Sequence, residues 1–160
     1  MSDSNKDANL KKKFQQALNS TFKVISDNFE INKKEENKSS DKFDFFELDN
    51  LNSKIDFIKA RAEADSLALK KKFSDEKIFK KNSPSNLSCK SLYSIAEKIR
   101  YESLGAKMLK GIEKNLKENY NQAIEFKRKD QIKTKDDVPV IEAFELYMLK
   151  KFHGIKLNSL

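Results

Sequence analysis

The sequence predicts a mainly α-helical fold: a single domain of packed helices with a small β-hairpin in its N-terminal third. Three observations predict this fold. Apolar residues recur every three or four positions in several stretches, which is the spacing of one helix face. The chain contains only three glycines and two prolines, so few residues oppose helix formation. Its 160 residues suffice for one domain with one main core.

The N-terminal third is predicted to contain a helix and then the hairpin. The first helix runs from Asn9 to about Ser26, and the domain is expected to span residues 9 to 156, between disordered tails at 1 to 8 and 157 to 160. The segments FEINK and FDFFELD alternate weakly, which is compatible with a hairpin at about residues 28 to 48. One irregular connection is the alternative. The residues on the apolar face of the helix are Leu10, Phe14, Leu18, Phe22 and Ile25.

The strongest helical pattern is DNLNSKIDFIKARAEADSLALKKKF, for which Asp49 or Asn50 is the predicted cap. One position on its apolar face holds a carboxylate, Asp65. The next segment, FSDEKIFKKNSPSNLS, contains Pro84 and is predicted to be a loop. The apolar face of the helix consists of Leu51, Ile55, Ile58, Ala62, Asp65, Leu69 and Phe73.

Two further helical patterns follow. The first begins near Ser88 and continues to Ile124, so this helix is either long or bent at Gly105 and Gly111. A solvated link is predicted at residues 127 to 137. The last helix begins at Pro139 and stops at Gly154. The predicted inward residues are Leu92, Ile95, Ile99, Glu102, Ala106 and Leu109 in the first pattern, and Val140, Phe144, Met148 and Phe152 in the last.

The chain is positively charged, and most of the excess lies in its second half. The formal net charge is +8; residues 81 to 160 contain 16 basic and 10 acidic residues, against 17 and 15 in residues 1 to 80. Such a half is typical of proteins that bind nucleic acid, an anionic membrane or an acidic partner. All but three basic residues are lysines, whereas base and phosphate recognition relies on arginine. A lysine-rich helical nucleic-acid-binding protein is therefore the alternative hypothesis.

The sequence contains few residues suited to catalysis. His153, the single histidine, is expected to be a favourable charge at the C-terminus of the last helix. Cys89, the single cysteine, is expected to be a small, partly buried thiol in a reducing, cytoplasmic compartment. The sequence has no zinc-ligand set, no phosphate-binding loop and no apolar run long enough to cross a membrane. We expect no catalytic, cofactor-binding or metal-binding residues in this chain.

Two carboxylates on apolar faces are the most informative polar residues. Asp65 and Glu102 need partners, because an unpaired charge is costly to bury. Arg61 lies one helical turn before Asp65, and Arg100 lies two residues before Glu102. We therefore predict that the two helices pack together around a shared polar cluster, with at least one carboxylate buried and paired with an arginine. The cluster serves either the fold or a subunit contact.

Two motifs extend this reasoning: AEADSLALKKK at residues 62 to 72 and AEKIRYESLGAKMLKGIEKNL at residues 96 to 116. Together they resemble the N-terminal region of CobT, a subunit of the aerobic, ATP-dependent cobaltochelatase. The resemblance covers most of the chain, in outline only before Asn50. The residues that carry it are Glu63, Ala64, Asp65, Leu67, Ala68, Leu69, Glu97, Arg100, Glu102, Gly105, Gly111, Asn115 and Leu116.

The resemblance implies a non-catalytic subunit or adaptor of a complex that inserts cobalt into hydrogenobyrinic acid a,c-diamide during cobalamin biosynthesis. The implied partners are an AAA+ ATPase subunit and a large corrin-binding subunit; ATP, magnesium and cobalt belong to the whole complex. A homo-oligomer is a further alternative for this chain. Together with the arginine spacing, the motifs give a candidate structural or partner-contact cluster of Arg61, Glu63, Asp65, Arg100, Glu102, Gly105, Gly111 and Asn115.

Gly105 and Gly111 raise a separate question, because glycine inside a helix costs roughly 1 kcal/mol relative to alanine. We expect the missing side chains to let another backbone approach or to let the helix bend. A simple helix break at Gly105 is the alternative. The family pattern has a basic residue at the position of Met108 and a methionine at the position of Leu109, so this chain departs from it at both. Family members continue into an acidic linker and a von Willebrand factor A domain, so this sequence is interpreted as a fragment or a short homologue.

Overall fold

All regular structure in the described residues is α-helical. The computed structural model describes residues 3 to 27, 51, 53 to 130 and 138 to 157. The mainly α-helical prediction is confirmed there, whereas the predicted hairpin at residues 28 to 48 lies outside the described residues, which contain no strand. The domain boundaries at residues 9 and 156 stay a prediction. The helices are α1 (Asp3–Ile25), α2 (Lys54–Phe73), α3 (Glu76–Asn82), α4 (Leu87–Met108), α5 (Lys110–Asp130) and α6 (Val140–His153).

The start of α2 lies later than predicted. Its cap is Ser53 and not Asp49 or Asn50, because Ser53 and Asp56 form a reciprocal capping box. The Ser53 hydroxyl accepts from the Asp56 backbone N–H, and the Asp56 carboxylate accepts from the Ser53 backbone N–H at 2.7 Å.

The predicted loop between α2 and α4 contains the short helix α3, so the loop prediction is wrong over residues 76 to 82. The Asp75 carboxylate accepts hydrogen bonds from the backbone N–H groups of Lys77 and Ile78, which starts the helix. Pro84 follows its last residue by two positions, where it opposes continuation.

The long helical pattern divides into two helices at Leu109. This residue is extended, with φ −134° and ψ 108°, and its N–H donates to the carbonyl of Gly105. The break therefore falls between the two glycines. Both the single long helix and the break at Gly105 are wrong.

Helices α2 and α4 lie at the centre of the packing, since each contacts three other helices. Helix α4 contacts α2, α5 and α6, and α2 also contacts α5 and α1. A second, smaller cluster lies between α1 and α2 and comprises Leu18, Leu51, Ala60 and Ala64, with Phe14 and Phe57 against it. The main core comprises Phe22, Ile25, Ala62, Ala68, Leu69, Ile99, Tyr101, Ile112, Leu116, Tyr120, Leu149 and Ile155.

Some residues predicted to point inward are exposed instead. A residue on an apolar face is buried only where a neighbouring element covers it. All of these residues except Leu10, in the first half of α1, lie in a terminal turn or just beyond one. In α6 the buried face contains Leu149 and His153, one position round from the predicted Met148 and Phe152. Gly154, at φ 63°, ends this helix as predicted. The exposed residues are Leu10, Ile55, Leu109, Val140 and Phe152.

Two further findings concern the surface. Cys89 is exposed and not partly buried, because it lies in the first turn of α4 before the helix enters the core. No helix in the described ranges combines the length and the apolar character that a membrane span requires.

Candidate functional site

The first half of the candidate site joins α2 to α5. Asp65 of α2 is 2% exposed, and its Oδ2 accepts a hydrogen bond from Asn115 Nδ2 at 2.7 Å. Burial raises the pKa of the Asp65 carboxyl; the Asn115 hydrogen bond and the charge of Arg61 oppose this rise without cancelling it. Asp65 therefore links two helices through a neutral partner.

The second half of the site is centred on Glu102 of α4, which is 1% exposed. Its Oε1 accepts from the Ser66 hydroxyl at 2.6 Å, and its Oε2 accepts from the Tyr120 hydroxyl at 2.5 Å. Burial raises the pKa of Glu102, against the lowering effects of Lys98, Ser66 and Tyr120. These two hydrogen bonds link α4 to α2 and α5.

His153 of α6 completes this buried group. Its Nε2 lies 3.9 Å from Glu102 Oε2, which is beyond hydrogen-bond distance, and its ring packs 5.7 Å from that of Tyr120. Burial, aided by the charge of Lys117, lowers the pKa of His153 to about 4. The predicted charge at the helix C-terminus is therefore wrong: the ring is buried and neutral at pH 7, because α6 turns it into the core.

The two arginines do not pair with the carboxylates as predicted. Arg100 forms a bidentate pair with Glu97, at 2.7 and 2.8 Å, and also donates to the carbonyl of Phe73 at 2.6 Å. Arg61 is exposed, and its guanidinium carbon lies 5.7 Å from the centroid of the Phe14 ring. Both carboxylates are buried as predicted, but in the described structure their partners are an amide and two hydroxyl groups.

The remaining candidate residues lie apart from this buried group. Glu63 forms a long surface pair with Lys59, at 3.9 Å. Gly105 faces α2: a Cβ atom there would lie 2.8 Å from Leu69 Cγ and closer still to both Leu69 methyl carbons. The close neighbour is thus a side chain and not the predicted backbone. Gly111 is exposed, and a Cβ atom there would have no neighbour within 4 Å.

This arrangement can hold helices together, and it offers little chemistry to a ligand. Each Glu102 oxygen accepts a hydrogen bond inside the core, and both carboxylates are almost fully covered. Within the described ranges, no group of three or more His, Cys, Asp or Glu residues could hold a metal ion. The burial favours a role in the fold over a direct subunit contact for Asp65 and Glu102.

Two residues of the buried group, Ser66 and Tyr120, were missed by the sequence reasoning, and His153 was expected to be a charge at the helix end. Ser66 follows Asp65 directly, and Tyr120 occupies an apolar position in its helical pattern. A tyrosine on a buried face needs a hydrogen-bond partner, which is a usable signal. Nothing in the sequence indicates which carboxylate it contacts.

Comparison with known proteins gives one result. The family model described as "Cobalamin biosynthesis protein CobT" matches residues 8–159, nearly the whole chain. Searches of curated proteins and of solved structures found no match.

Proposed function

Because this chain belongs to the CobT family of cobalamin biosynthesis proteins, we propose that it is a non-catalytic subunit of an ATP-dependent cobaltochelatase. In this proposal it acts as an adaptor between an AAA+ ATPase subunit and a large corrin-binding subunit. The complex inserts cobalt into hydrogenobyrinic acid a,c-diamide, with ATP and magnesium handled by the other subunits.

The family match over residues 8–159 is the observation that carries this proposal. The interior supports the non-catalytic part. Its two buried carboxylates accept hydrogen bonds from Asn115, Ser66 and Tyr120, and burial keeps His153 neutral at pH 7. The carboxylates are used between helices, and His153 is 3% exposed beside them, so a substrate does not reach these groups.

Reconstitution tests the proposal. The purified chain is mixed with the ATPase subunit and the large subunit, and cobalt insertion is followed by the absorbance of the corrin. We expect insertion only with all three proteins, and neither ATP hydrolysis nor insertion by this chain alone. Full-rate insertion without the chain would contradict the adaptor role, as would turnover by the chain alone.

The nucleic-acid alternative receives less support from the surface. Lys59, Lys80 and Lys117 each lie near a glutamate one turn away, so part of the lysine charge is neutralised within its own helix. A nucleic-acid-binding protein would bind duplex DNA with a steep dependence on salt. Fluorescence anisotropy at low and at physiological salt, about 50 and 150 mM, measures this. Micromolar binding at the higher salt, without affinity for the ATPase subunit, would favour the alternative.

A further inference from the structure

Three large apolar side chains remain exposed where α4 ends. Leu104, Met108 and Leu109 are 38%, 59% and 47% exposed. Leu104 and Met108 are four residues apart, so they lie on one side of α4. Leu109 follows directly in the extended link to α5. These three side chains, at the corner between the two helices, are called the apolar strip.

Along the chain, the charged residues nearest to this strip are basic. From Ser103 to Ile112 the chain contains two lysines, Lys107 and Lys110, and no acidic residue. Both lysines are exposed. Glu113, the next acidic residue along the chain, pairs with Lys117 at 2.7 Å and also feels the charge of Lys110. The strip is thus flanked by two lysines, and Lys107 is the one without a recorded acidic neighbour in the described residues.

Gly111 lies two residues beyond Leu109, and the described fold gives no reason for a glycine there. Among the described residues, Gly154 is the glycine with a positive φ. The φ of Gly111 is not positive, so residues with side chains can adopt its backbone conformation. A Cβ atom at Gly111 would meet nothing within 4 Å. Gly105 differs, because Leu69 fills the space beside it. The missing side chain at Gly111 leaves the corner open to an approaching molecule.

We propose that this corner, defined by Leu104, Lys107, Met108, Leu109, Lys110 and Gly111, binds an acidic amphipathic segment of another protein. The apolar residues of the segment would cover the strip, and its carboxylates would pair with the two lysines. A second copy of this chain is a poorer occupant, because two facing corners would bring four lysines together. The inference rests on the proposed function only for the source of the segment, which is another chelatase subunit.

A synthetic peptide tests the corner independently of the chelatase. The probe is a fluorescein-labelled helix of about 18 residues, five turns long, with leucine on one face and glutamate on the other. We expect the intact chain to bind it. The variants Met108→Ser/Leu109→Ser, Lys107→Glu/Lys110→Glu and Gly111→Gln should each weaken binding roughly tenfold or more, a change of about 1.4 kcal/mol.

A matched control lies at the other end of α4. Leu87 is 79% exposed and Lys90 is exposed, about 30 Å from the corner at 1.5 Å per residue. Leu87→Ser/Lys90→Glu should bind the peptide like the unaltered chain. Melting temperatures of the variants should not fall below that of the unaltered chain, since every altered residue is exposed, and Gly111→Gln should match or exceed it because glycine is a poor helix former. The proposal would be overturned if the corner variants bound the peptide as tightly as the unaltered chain, or if the unaltered chain did not bind it. It would also be overturned if the control variant lost as much binding as the corner variants.

The same variants separate the corner from the proposed function. In the reconstituted complex, the corner variants should fail to bind one of the two partner subunits. Loss of peptide binding with normal subunit binding would overturn the subunit as the source, while the corner itself stands. Absence of any chelatase requirement for the intact chain would overturn the proposed function, not the peptide result. Concentration-dependent dimers in sedimentation that Met108→Ser/Leu109→Ser abolishes would assign the corner to a second copy and overturn the proposal.

Discussion

At the scale of single residues, Glu102 shows how the core holds a carboxylate without an ion pair. The Ser66 and Tyr120 hydroxyls each donate to one of its oxygens. Burial nevertheless raises its pKa, which means that burial disfavours the ionised form of Glu102. Both oxygens still accept hydrogen bonds. The fold therefore depends on Glu102 as an acceptor more than as a charge.

This difference predicts unequal effects of two substitutions. Glu102→Gln should change the free energy of unfolding by about 1 kcal/mol or less, because an amide can accept from one hydroxyl and donate to the other. Glu102→Ala leaves both hydroxyls without a partner and opens a cavity, so it should destabilise the chain by about 3 kcal/mol. Urea unfolding at pH 7 measures both. Equal losses in the two variants would show that the charge matters.

Glu102 and His153 also predict how stability depends on pH. The pKa of His153 falls from 6.5 to about 4 on folding, so its contribution is present above pH 6.5 and is lost as the pH falls towards 4. The raised pKa of Glu102 acts in the opposite direction: its contribution is present at low pH and is lost as the pH rises. Asp65, whose pKa is also raised by burial, acts in the same direction as Glu102. In the intact chain these carboxyl groups therefore partly cancel the dependence of His153.

Glu102→Gln should therefore expose the histidine dependence. Between pH 7 and 4.5 we expect this variant to lose roughly 2 to 3 kcal/mol of unfolding free energy, more than the intact chain, at about 1.36 kcal/mol per unit of pKa difference. The control is Glu102→Gln/His153→Gln, in which this loss should be absent. Denaturant unfolding at pH 7, 5.5 and 4.5 provides the comparison. A slope that persists in the double variant would assign it to other groups.

At the scale of elements, Gly105 determines how closely α4 packs against α2. Leu69 is 1% exposed and occupies the space where a side chain at residue 105 would be. Because Leu69 is enclosed by the core, it has little freedom to move away. Glycine at this position therefore lowers the helix propensity of α4 but allows α4 and α2 to pack closely.

The two glycines provide a matched pair for this interpretation. Gly105→Ala should lower the free energy of unfolding by about 1 to 2 kcal/mol, since overpacking costs about 1 to 3 kcal/mol and the gain in propensity returns about 1 kcal/mol. Gly111→Ala should leave stability unchanged or raise it by up to about 1 kcal/mol, because its side chain would meet only solvent. Urea midpoints of both variants test the pair. Equal losses at both sites would contradict the packing argument.

At the scale of the whole molecule, the helices are unequally supported. Helix α4 contacts three other helices, whereas the main packing partner of α1 is α2. The small cluster of Leu18, Leu51, Ala60 and Ala64 lies at this contact between α1 and α2. A helix with fewer buried contacts opens at a lower free energy than the centre of the fold.

Native-state hydrogen exchange should reveal this inequality. Amides in α4 should exchange only through global unfolding, while those in α1 exchange through a smaller opening. Leu18→Ala should reduce the protection of α1 by about 2 kcal/mol or more and leave α4 with the protection that global stability allows. Leu116→Ala, in the main core, is the comparison and should lower protection in both helices. Uniform loss across α1 and α4 in Leu18→Ala would show that the domain opens as one unit.

The sequence by itself determined the features that depend on neighbours along the chain. Helical spacing identified the inward faces that contain Asp65 and Glu102, and the left-handed stop at Gly154 followed from the residue type. The two motifs around residues 62 to 116 were enough to identify the family. Periodicity and end signals are local, so they can be read before any helix is packed against another.

Only the tertiary structure decided which groups meet. The carboxylates accept from Asn115, Ser66 and Tyr120 because α2, α4 and α5 converge, whereas the arginines close in sequence point elsewhere. The buried face of α6 lies one residue position away from the predicted face, so His153 is buried and uncharged at pH 7. Such pairings depend on how whole helices cross and rotate against one another. That geometry results from many weak contacts between residues distant in sequence. Residue spacing therefore identified which carboxylates were buried, and packing alone selected their partners.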